Sequence, residues 1–412
     1  MRKRDKIWLS GFVGGIVGSA VLYCGVFYVQ HGSLPFTNES VAAGEWNQKT
    51  AVIEELIDKN FIDDVDEETL ADGMYDGLLE SLDDVYSDYY SAEEYQKYKE
   101  LSQGKYTGIG LVMQQDPDTM EITVKQCYPN MPADLAGVQA NDCIYMVDGQ
   151  LASEMTVTEL SEMIKYGDKD EVTLTIKREG EEELLEITVV LDTIEIPVVY
   201  DRILEDSIGY IQIAEFTDGT SNQFETAYQG MLEEKIEGLI IDLRTNPGGL
   251  LNAVCDTLEQ ILPEGMIVYT EDKYGNRDEH TCKGKTPIEI PLVILIDENS
   301  ASASEIFAGA AKDHEIATLV GNTTFGKGIV QKLYPLSDGS AIKLTVSKYY
   351  TPNGVNIHGT GIEPDVKVEW TGEQETLLTP SLYNELPLDE WLAQDVQMET
   401  GLEVLKTEIE EK

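Results

Sequence analysis

Residues 297–331 read DENSASASEIFAGAAKDHEIATLVGNTTFGKGIVQ. An apolar run from Pro291 to Ile296 precedes them and reads as a buried strand. The strand exits through small residues, and a helix follows. Ser302-Ala303-Ser304-Glu305 fits the Ser-x-x-Glu capping box. Lys327 lies 25 positions beyond Ser302, in Thr324-Phe325-Gly326-Lys327-Gly328, where glycines permit close backbone approach. A serine becomes a nucleophile when a neutral lysine amine takes its proton, without a histidine. A serine at a helix start is also an ordinary cap. The two roles are compatible, because the free N–H groups and positive dipole end at a helix start are what an oxyanion hole uses.

Outward from this stretch the pattern alternates strand and helix. Ile208 to Ile211 is strand-like, Phe216 to Glu233 reads as a helix, and Gly238 to Leu243 is a second buried strand. That strand runs into Arg244-Thr245-Asn246-Pro247-Gly248-Gly249-Leu250. Repeated strand, turn and helix imply a layered α/β core over residues 196–370. Residues 371–412 form an acidic C-terminal segment that ends in a helix.

Upstream, residues 46–104 carry helical apolar spacing, with Val52, Leu56 and Ile57, then Leu70, Met74, Leu78 and Leu82. Packing on a larger body and dimer contacts are both consistent with it. Residues 31–45 are polar and read as a linker. Residues 105–195 show short alternating strands, a short helix at 132–137, a Asp148-Gly149 turn, a helix at 158–165 and a closing strand at 172–177. This order resembles a PDZ domain, with Gly108-Ile109-Gly110-Leu111 matching that family's carboxylate-binding loop. Backbone N–H groups in a tight glycine turn can hold a terminal carboxylate while the next strand pairs with the peptide. Asn141-Asp142 stands where the family usually has Gly-Asp.

With 29 basic and 77 acidic residues, the net charge is -48. Binding nucleic acid rests on neutralising phosphates, so this charge excludes that function. Only the start of the chain is basic: Arg2, Lys3, Arg4 and Lys6 precede an apolar run from Ile7 to about Val29. The run exceeds the roughly 20 residues a spanning helix needs. Positive charge stays cytoplasmic, so residues 1–30 predict a single-pass anchor with the remainder outside. No metal-ligand spacing appears, and no cofactor is implied. Cys127 with Cys143 and Cys255 with Cys282 are conceivable pairs, but free thiols are the expectation for five scattered cysteines.

The chain resembles the C-terminal processing peptidases, or tail-specific proteases. The resemblance rests on Asp242-Leu243-Arg244 with Asn246-Pro247-Gly248-Gly249, on 300–305, on 324–328 with Gln331, on Tyr349-Tyr350-Thr351-Pro352-Asn353-Gly354, and on Gly361-Ile362-Glu363-Pro364-Asp365-Val366. Leu82-Asp83-Asp84-Val85-Tyr86-Ser87 adds a pattern from that family's N-terminal helices. The resemblance covers about residues 45–370. It implies a crotonase/ClpP-like α/β serine-protease core with an inserted PDZ domain and N-terminal helices. By position it makes Ser302 the nucleophile, Lys327 the general base, and Gln331 the residue that holds the lysine. The oxyanion hole falls to the amides of Ala303 and of Gly248 or Gly249. Asp313 matches an acidic family position, and a scaffold role suits it, since a carboxylate beside the amine would favour the charged form. An unperturbed lysine has a pKa of about 10.4, whereas a base at neutral pH needs about 7–8.

The implied activity is endoproteolysis of protein C-terminal tails captured by the PDZ domain, with a gated resting state. Ser300 and Ser304 are rival nucleophiles, and His314 or His358 would serve a serine–histidine arrangement. A catalytically silent PDZ scaffold for protein C-termini is the alternative function. A homodimer through the N-terminal and C-terminal segments is a further expectation.

Overall fold

The computed structural model describes residues 38–167, 169–369 and 386–412. The apolar run at Ile7 to Val29, with its predicted anchor, lies outside them. Among the described residues no helix is long and apolar enough to cross a membrane.

The chain divides between Val85 and Tyr86 into two units. The first holds helices Asn38–Asn60 and Glu67–Glu80. Residues 38–45, expected as linker, are helical. Asp66 caps the second helix by accepting the N–H groups of Glu68 and Thr69 at 3.1 and 3.3 Å.

The second unit is built on a six-stranded sheet. Its order is Val199–Leu204, Ile208–Ile213, Gly238–Asp242, Leu292–Ile296, Thr318–Gly321, Val366–Lys367. The first pair is antiparallel and every later pair is parallel. The strands read as continuous apolar runs because both faces are covered. Ile211, Ile241, Ile294 and Leu319 face helices Thr220–Glu233, Leu251–Leu258 and Ala303–Asp313. Tyr210, Ile240, Val293, Leu295 and Val320 face the other way, onto Trp391, Met398, Leu402 and Leu405. Those four lie on helices Leu388–Leu392 and Val396–Glu410. These two helices of the acidic C-terminal segment are thus a layer of the core.

A buried ion network fastens that layer. Arg244 is fully buried and donates to both oxygens of Asp242 and both of Asp395. Tyr210 donates to Asp242 at 2.9 Å, and the Trp391 indole donates to Asp395 at 3.2 Å. Planar, bidentate pairing suits arginine to this position.

A second, antiparallel sheet joins Asp88–Tyr90, Ala341–Tyr350, Glu264–Asp272 and Arg277–Lys283, with Ile329–Pro335 also on the Ala341–Tyr350 strand. Asp88–Tyr90 falls in a segment expected to be wholly helical. The expected helix start at Phe216 is also displaced. Phe216 bridges to Gly249, and the helix begins at Thr220, whose hydroxyl accepts the Thr217 N–H at 2.8 Å.

The inserted domain has a five-stranded path, Leu111–Gln115, Ile122–Cys127, Cys143–Val147, Glu171–Lys177, Leu185–Val190, with helices Pro132–Ala136 and Val157–Tyr166. Leu185–Val190 follows the strand read from sequence as the last one. Most of its residues are part-exposed, and a glutamate run precedes it, which hid its alternation. A two-stranded ribbon, Lys105–Gly108 against Asp192–Glu195, carries the chain into and out of this domain. None of the four described cysteines is in a disulfide; burial pushes the Cys127 thiol up to about 11 and the Cys255 thiol up to about 12.

Burial pushes the Asp395 carboxyl upward, but the Arg244 charge and hydrogen bonds outweigh it and leave the group below the usual carboxylate value. A depressed carboxyl stabilises the fold above its unfolded pKa of about 3.9, and that contribution is lost as pH falls through the folded value. Asp395→Ala should cost about 3–5 kcal/mol by leaving Arg244 charged and under-paired. Urea denaturation at neutral pH measures this, and a change below about 1 kcal/mol would remove the network from its fastening role.

Candidate active site

Open α/β sheets bind ligands beyond the carboxyl ends of their strands. Three exits converge there: 214–216, 243–250 and 297–302. Between them is a cavity of about 460 Å³, lined by Ser302, Ala303, Lys327, Gln331 and Gly249, with Tyr98, Glu215, Lys343 and Tyr349 among the others.

Ser302 has φ 53° and ψ -109°, a positive-φ conformation for a residue with a side chain. Such backbone costs about 1–3 kcal/mol and needs surroundings that impose it. Here the carbonyl of Ser302 accepts from Glu305 N–H, Ile306 N–H and the Tyr349 hydroxyl at 3.0, 3.0 and 3.1 Å. Its N–H donates to Glu305 at 2.9 Å. The Ser302–Glu305 pair has the form of a capping box, yet the serine hydroxyl makes no side-chain cap bond. The helix is therefore secured through Glu305, and the hydroxyl is left toward the cavity. A serine on a strained strand-to-helix turn, followed by a backbone N–H at the helix start, is the arrangement of a nucleophile elbow.

Glu305 is fully buried. Besides Ser302 N–H, its carboxylate accepts the Thr324 hydroxyl at 2.6 Å, Gly326 N–H at 2.7 Å and Lys327 N–H at 2.8 Å. One side chain thus holds the serine turn and the lysine loop together. In sequence Glu305 reads only as a local capping residue. The signal that finds it is the convergence of Ser-x-x-Glu with a glycine-flanked lysine, and its long-range bonds are invisible without the fold. The Lys327 amine lies 4.5 Å from the centre of the Tyr86 ring. Gln331 sits in a strand at a bulge, and its amide donates to Thr345 at 3.2 Å.

The two glycines separate. Gly248 N–H donates to Asn246 Oδ1 at 2.8 Å, whereas Gly249 lines the cavity. Gly248 has φ 106°, and a Cβ there would stand 2.9 Å from Ser302 Cβ and from Ala303 N. Gly249 has φ 135°, and a Cβ would stand 2.1 Å from the Phe216 carbonyl. Only glycine lets these three segments approach so closely. Ala303 is the first residue of its helix, where the N–H has no partner within the helix.

The rival serines are spent on architecture. The Ser300 hydroxyl donates to the Leu243 carbonyl at 2.8 Å, and that of Ser304 donates to the Asn246 carbonyl at 3.0 Å. Both are buried, and both tie the serine turn to the glycine turn. Asp313 ends the helix that Ser302 begins, roughly 16 Å away at 1.5 Å per residue. It accepts the Asn353 N–H at 2.8 Å and so braces the 351–354 turn. His314 is at that same far end, bonded through its ring to the Met266 carbonyl at 2.7 Å. His358 is exposed in the loop whose Gly359 N–H donates to Gly326. Neither histidine lines the cavity.

In the inserted domain, the carbonyls of Ile109 and Gly110 accept N–H groups of Ala133 and Tyr128 at 2.9 and 3.0 Å. Gly108 is paired in the ribbon. Leu111 lines a groove of about 450 Å³ with Thr158, Ser161, Glu162 and Lys165. Helix Ala92–Gln103 closes one side of it: Lys97 pairs with Glu162 at 3.0 Å, and Leu101 lines both this groove and the serine cavity.

The Peptidase family S41 profile matches residues 207–368, a PDZ domain profile matches 123–178, and the profile of the activating protease CtpB N-terminal domain matches 16–94. The carboxyl-terminal-processing protease of Synechocystis sp. is 36% identical over 297 residues, covering 71% of this chain and 69% of that protein. The carboxy-terminal processing protease CtpA of Bacillus subtilis is 30% identical over 371 residues, covering 90% and 78%. Among solved structures, a photosystem II D1 C-terminal processing protease superposes with a TM-score of 0.46 and 27% identity, covering 77% of this chain and 86% of that one.

Glu305→Gln should destabilise the chain by about 1–3 kcal/mol, because an amide NH₂ then faces N–H donors that lose their acceptor. Chemical denaturation measures this, and a variant as stable as the parent would show that the four bonds do not hold the turn to the loop.

Proposed function

The chain belongs to peptidase family S41 and to its carboxyl-terminal-processing proteases, and from that premise we propose a membrane-anchored, extracytoplasmic serine endopeptidase. In this reading the PDZ domain captures protein C-terminal tails, and Ser302 with Lys327 cuts them. The observation that carries it is the Glu305 carboxylate, which ties the strained Ser302 turn to the Lys327 loop beside one cavity.

The steps follow from the groups present. A neutral Lys327 amine takes the Ser302 proton as the oxygen attacks the scissile carbonyl. The negative charge forming on that carbonyl falls between the N–H groups of Ala303 and Gly249. Preorganised backbone donors of this kind are worth about 3–4 kcal/mol in such reactions. Gly248 shapes this hole, since its N–H is committed to Asn246. The protonated lysine then gives the proton to the leaving amine as the C–N bond breaks. A water deprotonated by the neutral lysine attacks the Ser302 ester, releasing the carboxylate and returning the proton to the serine oxygen. Gln331, on the strand that follows the lysine loop, holds Lys327 in place. Asp313 stays outside the chemistry.

The Tyr86 ring supports a gated resting state, since a ring face stabilises the ammonium form of Lys327. A peptide that binds better to the open arrangement than to the closed one shifts the balance toward activity. Gly108, Ile109, Gly110 and Leu111 offer the turn for the terminal carboxylate, and the groove beside Leu111 takes the residues before it. The basic tip and apolar run at residues 1–30 supply the anchor. Exposed Trp46, Val52, Leu56 and Phe61 favour a homodimer through the N-terminal helices.

Ser302→Ala should lower kcat/KM for a peptide substrate by more than about 10³-fold with the fold unchanged. Turnover retained by that purified variant would refute the assignment. Amidating the substrate's C-terminus should slow cleavage about tenfold, and equal rates for acid and amide would remove carboxylate capture. Cell fractionation should find the protein in the membrane; mature protein mainly in the medium would sink the anchor.

A further inference from the structure

We infer that Glu215 forms a cation-selecting subsite in the catalytic cavity and takes a lysine or arginine side chain of the substrate near the bond being cut. This rests on reading the cavity as the substrate cleft.

The position of Glu215 is fixed by its neighbour. Phe216 N–H donates to the Gly248 carbonyl at 2.8 Å, and its own carbonyl accepts the Leu250 N–H at 2.7 Å. Glu215 therefore stands on the rim next to Gly249 and shares the cavity with Ser302 and Ala303. It is half-buried, and among the described residues its carboxylate has no ion pair and no hydrogen bond. Burial pushes its carboxyl above the usual range, and burial is the sole cause. The two lysines of the cavity do not offset it. Lys327 is over the Tyr86 ring, and Lys343 is turned to the Tyr90 hydroxyl and stands 3.9 Å from Asp88.

A desolvated carboxylate without a partner carries a cost that an incoming cation relieves. Tyr98 lines the same cavity, its ring stacked on that of Tyr90 at 5.3 Å. A carboxylate in a cavity also lined by Phe216, Leu250 and Leu251 suits a long basic side chain, which can lay its stem on apolar surface and pair its head. An acidic side chain meets repulsion at the same place. The acid at this rim and the lysines elsewhere divide the cavity by charge, so a tail is selected by where its basic residue falls.

The test uses the full chain carrying Ser302→Ala, with peptides that share one unchanged C-terminal tetrapeptide so that PDZ capture is constant. A single lysine, norleucine or glutamate is scanned through the positions upstream, and binding is read by fluorescence anisotropy. At one position lysine should bind about tenfold tighter than norleucine, and glutamate weaker. Adding Glu215→Gln should bring the lysine-to-norleucine ratio to about one, and Glu215→Lys should invert the order in favour of glutamate. No lysine preference at any position, or one that survives Glu215→Gln, overturns the inference. Should the variants not fold, raising salt must shrink the ratio in the Glu215-bearing protein, and a salt-independent ratio overturns it equally. Cleavage by the chain with Ser302 intact is scored separately. Lysine-selective binding without cleavage sinks the protease reading alone, and cleavage without lysine selectivity sinks this one alone.

Discussion

The architecture of the site depends on one carboxylate. Glu305 is buried and faces four donors, three of them backbone N–H groups that have no other role than to donate. Two of those amides belong to the glycine-flanked lysine loop and one to the strained serine. Remove the acceptor and three amides, one buried and two part-buried, lose their partner at once, the buried one at a cost of about 1–3 kcal/mol. The same residue explains how Ser302 keeps a positive φ. The helix start is tied down through Glu305 and through the Ser302 carbonyl, which frees the serine hydroxyl from capping.

A second layer of constraint supports the first. The Ser300 and Ser304 hydroxyls and the Asn246 carbonyl, which accepts the Ala301 N–H, bind the serine turn to the glycine turn, and Gly248 and Gly249 let those backbones come within contact of Ser302 and Phe216. These turns sit at the carboxyl ends of neighbouring parallel strands, so the sheet register sets their spacing. Arg244, two residues before Asn246, couples that turn to the C-terminal helices through Asp395. The C-terminal helices therefore reach the site's supports, although none of the described residues of the tail lines the cavity.

Much of this was legible in the residues. Gly238 to Leu243 and Pro291 to Ile296 announced buried strands because both faces needed apolar side chains. The Ser-x-x-Glu turn and the glycine-flanked lysine marked the two halves of the site. What joins the halves was not legible: Thr324, Gly326 and Lys327 are 19 to 22 residues beyond Glu305, and no local rule connects them. Phe216 shows the same limit, since its helical surroundings concealed a bridge to Gly249, a partner made near only by folding. The closing helix was legible at the C-terminus, but acidic composition concealed that Met398, Leu402 and Leu405 give it a face buried on the sheet. Asp88–Tyr90 is three residues long, too short for any periodicity to stand out.

The ribbon of Lys105–Gly108 with Asp192–Glu195 has a further consequence. Both covalent crossings between the PDZ domain and the protease core run side by side, Lys105 opposite Glu195 and Gly108 opposite Asp192. A module whose ends are neighbours can be removed or exchanged with little loop-closure entropy, because a short bridge replaces it. The core's strand order is untouched by such an exchange, since every strand of the six-stranded sheet comes later in the chain. The PDZ domain is thus joined as a cassette, which the topology lets be exchanged without rebuilding the core sheet.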